Sequence, residues 1–181
     1  MVRSRLLTII LIALLVQMTI GSSLAQTLSF SLDPEGVQIW IKPDGSIDLL
    51  YNITLKMDDG SSDLHWLEIG QPRRDFTIGE ALDQYGNVLQ TSDSSSGQDY
   101  KVRVQLHSTL VAGQTLGFSL STNVSQMIQN DTMNPGYFGM QFVPAWLSMA
   151  RVPDLRVKVF LPEGVNQSRL FALKQSSSSK R

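Results

Sequence analysis

Residues 47–57 read Ile-Asp-Leu-Leu-Tyr-Asn-Ile-Thr-Leu-Lys-Met, and the pattern of this stretch sets the architecture of the chain. Apolar side chains occupy every odd-numbered position, and the positions between them are polar except for Leu50. Successive side chains of a β-strand point to opposite faces of the sheet. A period of two over this length therefore predicts a half-buried strand.

The residues just before this strand predict that it is the second arm of a hairpin. Apolar Val37, Ile39 and Ile41 alternate with the side chains between them. Pro43-Asp44-Gly45-Ser46 follows, and proline followed by Asp-Gly is typical of a tight turn. We therefore expect residues 37–57 to form a β-hairpin.

The same alternation recurs along the chain, whereas helical periodicity is scarce. Only Glu80–Tyr85 and Val124–Ile128 fit a single helical turn, and Thr91–Asp99 has the composition of a polar loop. Seven to nine strands, each with one polar face, predict an all-β protein, an antiparallel β-sandwich of Ig-like or jelly-roll type. The further strand candidates are residues 28–32, 64–69, 100–106, 116–120, 138–142 and 155–161.

The N-terminus has the layout of a secretory signal peptide. Arg3 and Arg5 precede an apolar run over residues 6–20, and small Ser23 and Ala25 stand at the −3 and −1 positions of a cleavage site. We expect a signal helix in residues 1–25, with an uncleaved N-terminal anchor as the alternative. A β-sandwich domain over residues 26–170 and a polar tail over 171–181 complete the predicted organisation. The predicted location is secreted or cell-surface, with membrane contact only through residues 6–20 if the signal is retained.

Composition excludes several classes of function. The chain has 181 residues, a formal net charge of −1 and no cysteine. It therefore has no excess of basic residues that would favour a nucleic-acid partner. It also cannot form disulfides, thiolate zinc sites or a cysteine nucleophile. At 42% hydrophobic residues it has enough apolar side chains for a folded core.

Catalytic and metal-binding patterns are weak or missing. His65 and His107 are the two side chains that titrate near neutral pH without perturbation, and His107 falls on the polar side of its strand. No nucleophile elbow, zinc-binding histidine pair or phosphate-binding glycine loop is present. We predict no catalytic residue and no cofactor. A weak Ca²⁺ candidate remains in the acidic loop that holds Asp58, Asp59 and Asp63.

Trp40 and Phe160 are the best candidates for ligand binding. Each is out of phase with the apolar residues of its own strand, so each side chain is expected to leave the core face. An aromatic ring on the outside of a sheet can stack on a sugar or anchor a protein partner. The alternative interpretation is that both rings cover a second small cluster or lie under loops.

Four sites fit the N-x-S/T acceptor sequence for N-linked glycans, at Asn52, Asn123, Asn130 and Asn166. Asn52 falls on the polar side of its predicted strand, where a glycan would reach solvent. These sites predict a glycoprotein if the host has the required machinery.

The C-terminal third carries two marks that recur in a known group of domains. Phe142-x-Pro144-x-Trp146 and Leu161-Pro162-x-Gly164-Val165, together with the Pro-Asp-Gly-Ser turn and the long strand after it, resemble uncharacterised extracytoplasmic β-domains of prokaryotic secreted or membrane-anchored proteins. The resemblance covers about residues 36–165. It implies a β-sandwich outside the cytoplasm and no catalytic residues that could be carried over to this chain.

Three functional hypotheses follow. The leading one is a non-catalytic module that binds a protein or glycan at the cell surface. The second is a structural subunit of a surface layer or filament, assembled by strand addition with Gln26–Leu32 as the donor. The third is a hydrolase that uses a pair of carboxylates, which would have to face one cleft.

Overall fold

The computed structural model describes residues 27–144 and 150–165, and these residues contain no α-helix. They form strands that we number in chain order, and the all-β prediction is confirmed. The strands are β1 (Phe30–Ile41), β2 (Ile47–Met57), β3 (Leu64–Gly70), β4 (Phe76–Asp83), β5 (Gln90–Asp93), β6 (Lys101–Leu110), β7 (Thr115–Val124), β8 (Gln129–Asn130), β9 (Phe138–Gly139), β10 (Ala150–Arg151) and β11 (Leu155–Phe160).

Three sheets are built from these strands. A six-stranded sheet has β1, β2, β7 and β4 as antiparallel neighbours, and β10 and β11 pair with successive parts of β1. A three-stranded antiparallel sheet has the order β3-β6-β5, and β8 pairs with β9. The alternation in the sequence predicts antiparallel pairing throughout, but β10 and β11 run parallel to β1.

The two larger sheets contribute to one hydrophobic core. The odd-numbered residues of β2 are all at most 2% exposed, in agreement with the alternation in the sequence. The three-stranded sheet adds alternating residues of β3 and β6 to the same cluster. Among its contributions are Leu67, Ile69, Val102, Val104 and Leu106.

The predicted β1–β2 hairpin and its turn at residues 43–46 are confirmed. The Lys42 N–H donates to Ser46 O at 2.9 Å, and the Gly45 N–H donates to Lys42 O at 3.1 Å. Gly45 has a φ of 80°, which glycine adopts without steric penalty. The Asp44 carboxylate accepts hydrogen bonds from the backbone N–H and the hydroxyl of Ser46.

Strand β4 corrects the prediction of a helical turn at Glu80–Tyr85. A bulge between Ile78 and Ala81 inserts one extra residue opposite β7, so both side chains face the core although they are three positions apart. Residues 80–83 continue the strand after the bulge, and residues 84–85 form the turn that follows it. A similar bulge between Leu32 and Glu35 joins the two predicted N-terminal segments into the single strand β1.

Two other boundaries and the burial of one strand differ from expectation. The predicted loop Thr91–Asp99 contains most of β5, and the predicted strand over residues 138–142 is reduced to β9. Strand β11 matches its predicted position, but none of its residues is buried. It lies one strand beyond β1, past the edge of the buried core.

Some predictions lie outside the described residues, namely the signal peptide at 1–25, the polar tail at 171–181, Trp146 and Asn166. Within residues 27–144 and 150–165, no helix has the length and apolar character needed to cross a membrane.

Candidate binding site

Five outward-facing side chains form one row across the six-stranded sheet. Trp40 pairs directly with Phe160 of β11 and with Asp48 of β2, Asp48 pairs with Asn123 of β7, and Asn123 pairs with Thr77 of β4. We call these five residues the outer-face row. Neighbouring strands lie about 4.8 Å apart, so the row spans roughly 20 Å.

The two aromatic residues singled out in the sequence contact each other in this row. The rings of Trp40 and Phe160 are stacked, with centroids 5.0 Å apart and planes 7° from parallel. Phe160 is 41% exposed, and Trp40 is half-buried. Both lie on the face opposite the core, as their phase in the sequence predicts.

A charged group continues the row next to Trp40. Asp48 accepts a hydrogen bond from the Asn123 side-chain amide at 2.8 Å and lies 2.8 Å from the Lys42 ammonium. Partial burial opposes ionisation of Asp48, but the hydrogen bonds from Lys42 and Asn123 outweigh it and hold the pKa of this carboxyl below its usual value. The row therefore carries an ionised hydrogen-bond acceptor at neutral pH.

A shallow, open depression of about 610 Å³ lies beside Trp40. Strand β4 lines one part of the depression. There the bulge brings Gly79 against Ser121. The Ser121 hydroxyl accepts a hydrogen bond from the Glu80 N–H and donates one to the Glu80 C=O. The residues that line the depression include both aliphatic and polar side chains. Among the residues that line it are Asp48, Leu50, Thr77, Gly79, Ser121 and Asn123.

The depression does not contain the carboxylate pair that a hydrolase of the third hypothesis requires. Asp48 is the one acidic residue among the described side chains that line it. The arrangement offers hydrogen bonds and an aromatic surface, which are suited to holding a ligand in place.

The four glycan acceptor sites fall in different environments. Asn52 is exposed on the outer face of β2, and Asn130 is exposed in β8. Asn123 belongs to the outer-face row, and its side-chain nitrogen already donates to Ile47 O and to Asp48. Asn166 lies outside the described residues.

The weak Ca²⁺ candidate is not assembled by the fold. The Asp58 carboxylate accepts hydrogen bonds from the Ser29 hydroxyl and, at 2.8 and 3.1 Å, from the Arg151 guanidinium. Asp59 and Asp63 are exposed. No group of three acidic or histidine side chains that could bind a metal ion occurs within residues 27–144 and 150–165.

The two histidines lie on the surface, in the solvated environment that the sequence predicts for His107. His107 is exposed on β6, and the His65 ring lies 3.0 Å from the Thr109 hydroxyl. Neither is brought together with acids around a cavity among the described residues.

A second aromatic surface, not expected from the sequence, lies on the outer face of the three-stranded sheet. The Arg103 guanidinium lies 4.2 Å above the Trp66 ring and 2.9 Å from the Glu68 carboxylate. Trp66 is 42% exposed. The register of β3 with β6 shifts between Leu64 and Trp66, where one residue of β3 stands opposite four of β6, and both His65 and Trp66 face outward. Two successive outward residues between Leu64 and Leu67 interrupt the alternation in the sequence. This interruption is the sequence feature that could have indicated an exposed Trp66.

The predicted donor segment Gln26–Leu32 is not a free strand where the structure describes it. Phe30 and Leu32 are at most 2% exposed and pair with β2, and Phe30 also pairs with β10. Its donation to a neighbouring molecule would require removing these side chains from the core.

Comparisons with known proteins show a likeness of fold only. No protein-family model matches the chain, and no curated protein matches it either. A structure of the M1 zinc metallopeptidase from Deinococcus radiodurans is similar with a TM-score of 0.50 and 15% identity, covering 75% of this chain and 33% of that chain. A mutant of an M1 zinc metallopeptidase from the same organism, bound to a Tyr-Ser-Ala substrate, has a TM-score of 0.51 and 12% identity, covering 74% and 33%. The chain thus spans about a third of the length of these solved structures.

Proposed function

We propose that this protein is a non-catalytic β-sandwich module, secreted or held at the cell surface, that binds a glycan through the outer-face row. In this proposal the six-stranded and three-stranded sheets are the two layers of the sandwich, and residues 1–25 are the export signal. The observation that carries the proposal is the stacked Trp40–Phe160 pair beside the ionised Asp48.

The chemistry of the row suits a sugar better than a purely apolar ligand. Sugar rings have an apolar face that packs on aromatic rings and hydroxyl groups that need acceptors and donors. Trp40 supplies the ring, Asp48 supplies an acceptor, and the Thr77 hydroxyl and the Asn123 side-chain oxygen lie along the same depression. A protein segment anchored on the same aromatic pair is the alternative ligand.

The proposal is tested by presenting the mature protein to a glycan array and measuring Kd for any glycan retained. We expect Trp40→Ala to weaken that binding at least roughly tenfold, because an aromatic anchor is worth more than about 1.4 kcal/mol in such a site. Trp66→Ala is the matched control, since it removes an exposed tryptophan from the other sheet. It is expected to leave Kd unchanged.

Several outcomes would contradict the proposal. Equal loss in the Trp40 and Trp66 variants, or no binding to any glycan, would remove the outer-face row as the site. Turnover of a substrate that is lost in Asp48→Asn would show that the module is an enzyme. Capture of a protein that depends on Trp40 but not on Trp66 would favour the alternative ligand over the glycan.

A further inference from the structure

Strand β11 has one backbone edge that pairs with no other described strand. The Glu35 N–H donates to Asp154 O at 2.9 Å, and the parallel register pairs Glu35 with Leu155 and Val37 with Val157. In a parallel ladder with this register, every second residue of β11 turns its backbone groups toward β1 and the residues between turn theirs away. The N–H and C=O groups of Leu155, Val157 and Val159 therefore point outward, and no described strand pairs with them.

The same three residues carry uncovered apolar side chains on the core side of the sheet. Val157 is in register with Val37, and Val159 is in register with Ile39, and both partners on β1 are 1% exposed. One strand farther out, Leu155, Val157 and Val159 are 42–47% exposed. The apolar face of the sheet therefore extends one strand beyond β1, onto β11, where its side chains are exposed.

The opposite face of β11 carries two basic side chains beside Phe160. Arg156 and Lys158 point away from the core, and Arg156 is paired with Asp154 at 2.5 Å, whereas Lys158 has no ion pair with a described residue. Lysine on an edge strand opposes self-association. In the symmetric antiparallel registers centred on Val157 or on Lys158, a second copy would place Arg156 or Lys158 against a like charge, so a copy of this chain is a poor occupant.

We propose that β11 is an acceptor edge for an extended segment of a partner protein whose residues alternate between aliphatic and acidic. Its backbone would pair with the outward groups of Leu155, Val157 and Val159, its aliphatic side chains would cover these three residues, and its carboxylates would meet Arg156 and Lys158. This inference is independent of the glycan proposal, since it uses no residue of the outer-face row, although Arg156 and Lys158 lie on the same face of the sheet as Phe160.

The test measures binding of a capped ten-residue peptide of alternating valine and glutamate to the full chain by fluorescence anisotropy. We expect saturable binding, and no binding of the matched valine–lysine peptide. Lys158→Glu is expected to weaken binding about tenfold, since an opposite charge becomes a like charge. Lys56→Glu makes the same charge change on the interior strand β2 and is expected to have no effect.

Two further measurements separate strand addition from simple charge attraction. Val157→Pro removes one outward N–H, is tolerated at an edge, and is expected to abolish binding, whereas Val157→Thr keeps the N–H and binds. Hydrogen exchange should slow at the amides of Leu155, Val157 and Val159 when the peptide binds, and should not change at Arg156 and Lys158, whose amides face β1.

Several results would overturn the proposal. They are absence of binding, equal binding by the Lys158→Glu or Val157→Pro variants, and dimerisation of the protein that competes with the peptide. Binding that appears only after deletion of residues 166–181 would also overturn it, because the chain itself would then occupy the edge.

Discussion

At the scale of single residues, the most consequential side chain is a buried carboxyl group in β1. Glu35 is 1% exposed, and its Oε1 has no hydrogen-bond partner among the described residues. Burial raises the pKa of Glu35 to about 7. Burial also raises the pKa of Tyr51, and the nearby charge of Glu35 raises it further. The protonated form of Glu35 is therefore favoured in the folded protein up to about pH 7.

Stability is expected to fall as pH rises from 4.5 to about 7, because the folded protein retains a proton that the unfolded chain has released. The loss amounts to about 3 kcal/mol of unfolding free energy at roughly 1.4 kcal/mol per pH unit. Glu35→Gln should remove this slope, which urea denaturation of both proteins at pH 4.5, 6 and 8 would measure. Identical slopes for wild type and variant would show that Glu35 does not titrate in this range.

The other carboxyls with shifted pKa values act in a different pH window. Hydrogen bonds hold the pKa values of Asp44, Asp48 and Asp58 below their usual range. Their stabilising contribution is present above about pH 4 and is lost as the pH falls below it. The effect of Glu35 can therefore be measured without interference from them.

Gly79 is required by close approach rather than by its backbone angles. A Cβ at this position would clash with the Ser121 hydroxyl and would lie 3.1 Å from Ser121 O. We expect Gly79→Ala to destabilise the protein by about 1–3 kcal/mol, as in other overpacked sites. Gly139→Ala is the control, because a Cβ there would meet no atom within 4 Å and its φ is not positive. Equal denaturation midpoints for the two variants would contradict this prediction.

At the scale of elements, two turns are held by the same kind of aspartate contact, but they join strands that differ greatly in burial. Asp44 binds Ser46 in the β1–β2 hairpin, and Asp131 binds the Met133 and Asn134 amides in the turn between β8 and β9. The first hairpin is part of the core, whereas β8 and β9 are exposed two-residue strands.

We therefore expect Asp44→Ala to lower the global denaturation midpoint and Asp131→Ala to leave it unchanged. The loss of a turn contact is felt globally only where the strands it joins unfold with the core. Hydrogen exchange should show faster opening at the β8–β9 turn in Asp131→Ala. A midpoint lowered equally by both substitutions would indicate that β8 and β9 unfold together with the core.

Much of each element is predictable from its own residues, and the failures in β3 and β4 have a common cause. The bounds of β2 match the alternation over 47–57, since each residue there faces a buried or a solvated side without interruption. The bulge at Gly79-Glu80 in β4 and the register shift between β3 and β6 at His65 change the phase of the pattern, and such irregularities depend on both strands of a pair.

At the scale of the whole molecule, both large sheets share one core and should unfold together. The Tyr51 hydroxyl lies 3.5 Å from Gly70 O, and the Thr122 hydroxyl donates to the Gln71 side chain at 2.9 Å, so polar contacts also join the sheets. A domain with one continuous core is expected to unfold in a single cooperative transition.

Tryptophan fluorescence can test this cooperativity, because Trp40 and Trp66 lie on different sheets. In a Trp146→Phe background, a second substitution, Trp40→Phe or Trp66→Phe, leaves one reporter on one sheet. We expect the two reporters to give unfolding curves of the same shape, each coincident with the circular dichroism curve of the same variant. Reporter and dichroism midpoints that separate within one variant would show that the sheets unfold independently.

The positions of strands with unbroken alternation such as β2 and β7, the apolar side of most strands and the outward direction of Trp40 and Phe160 follow from the order of residues, because a period of two depends only on near neighbours in the chain. That these two rings meet, that Asp48 and Asn123 continue their row, and that β11 runs parallel to β1 follow only from the folded arrangement. Those features depend on which strands pair and in what register. Pairing is set by packing between segments far apart in the chain, and no local pattern records it.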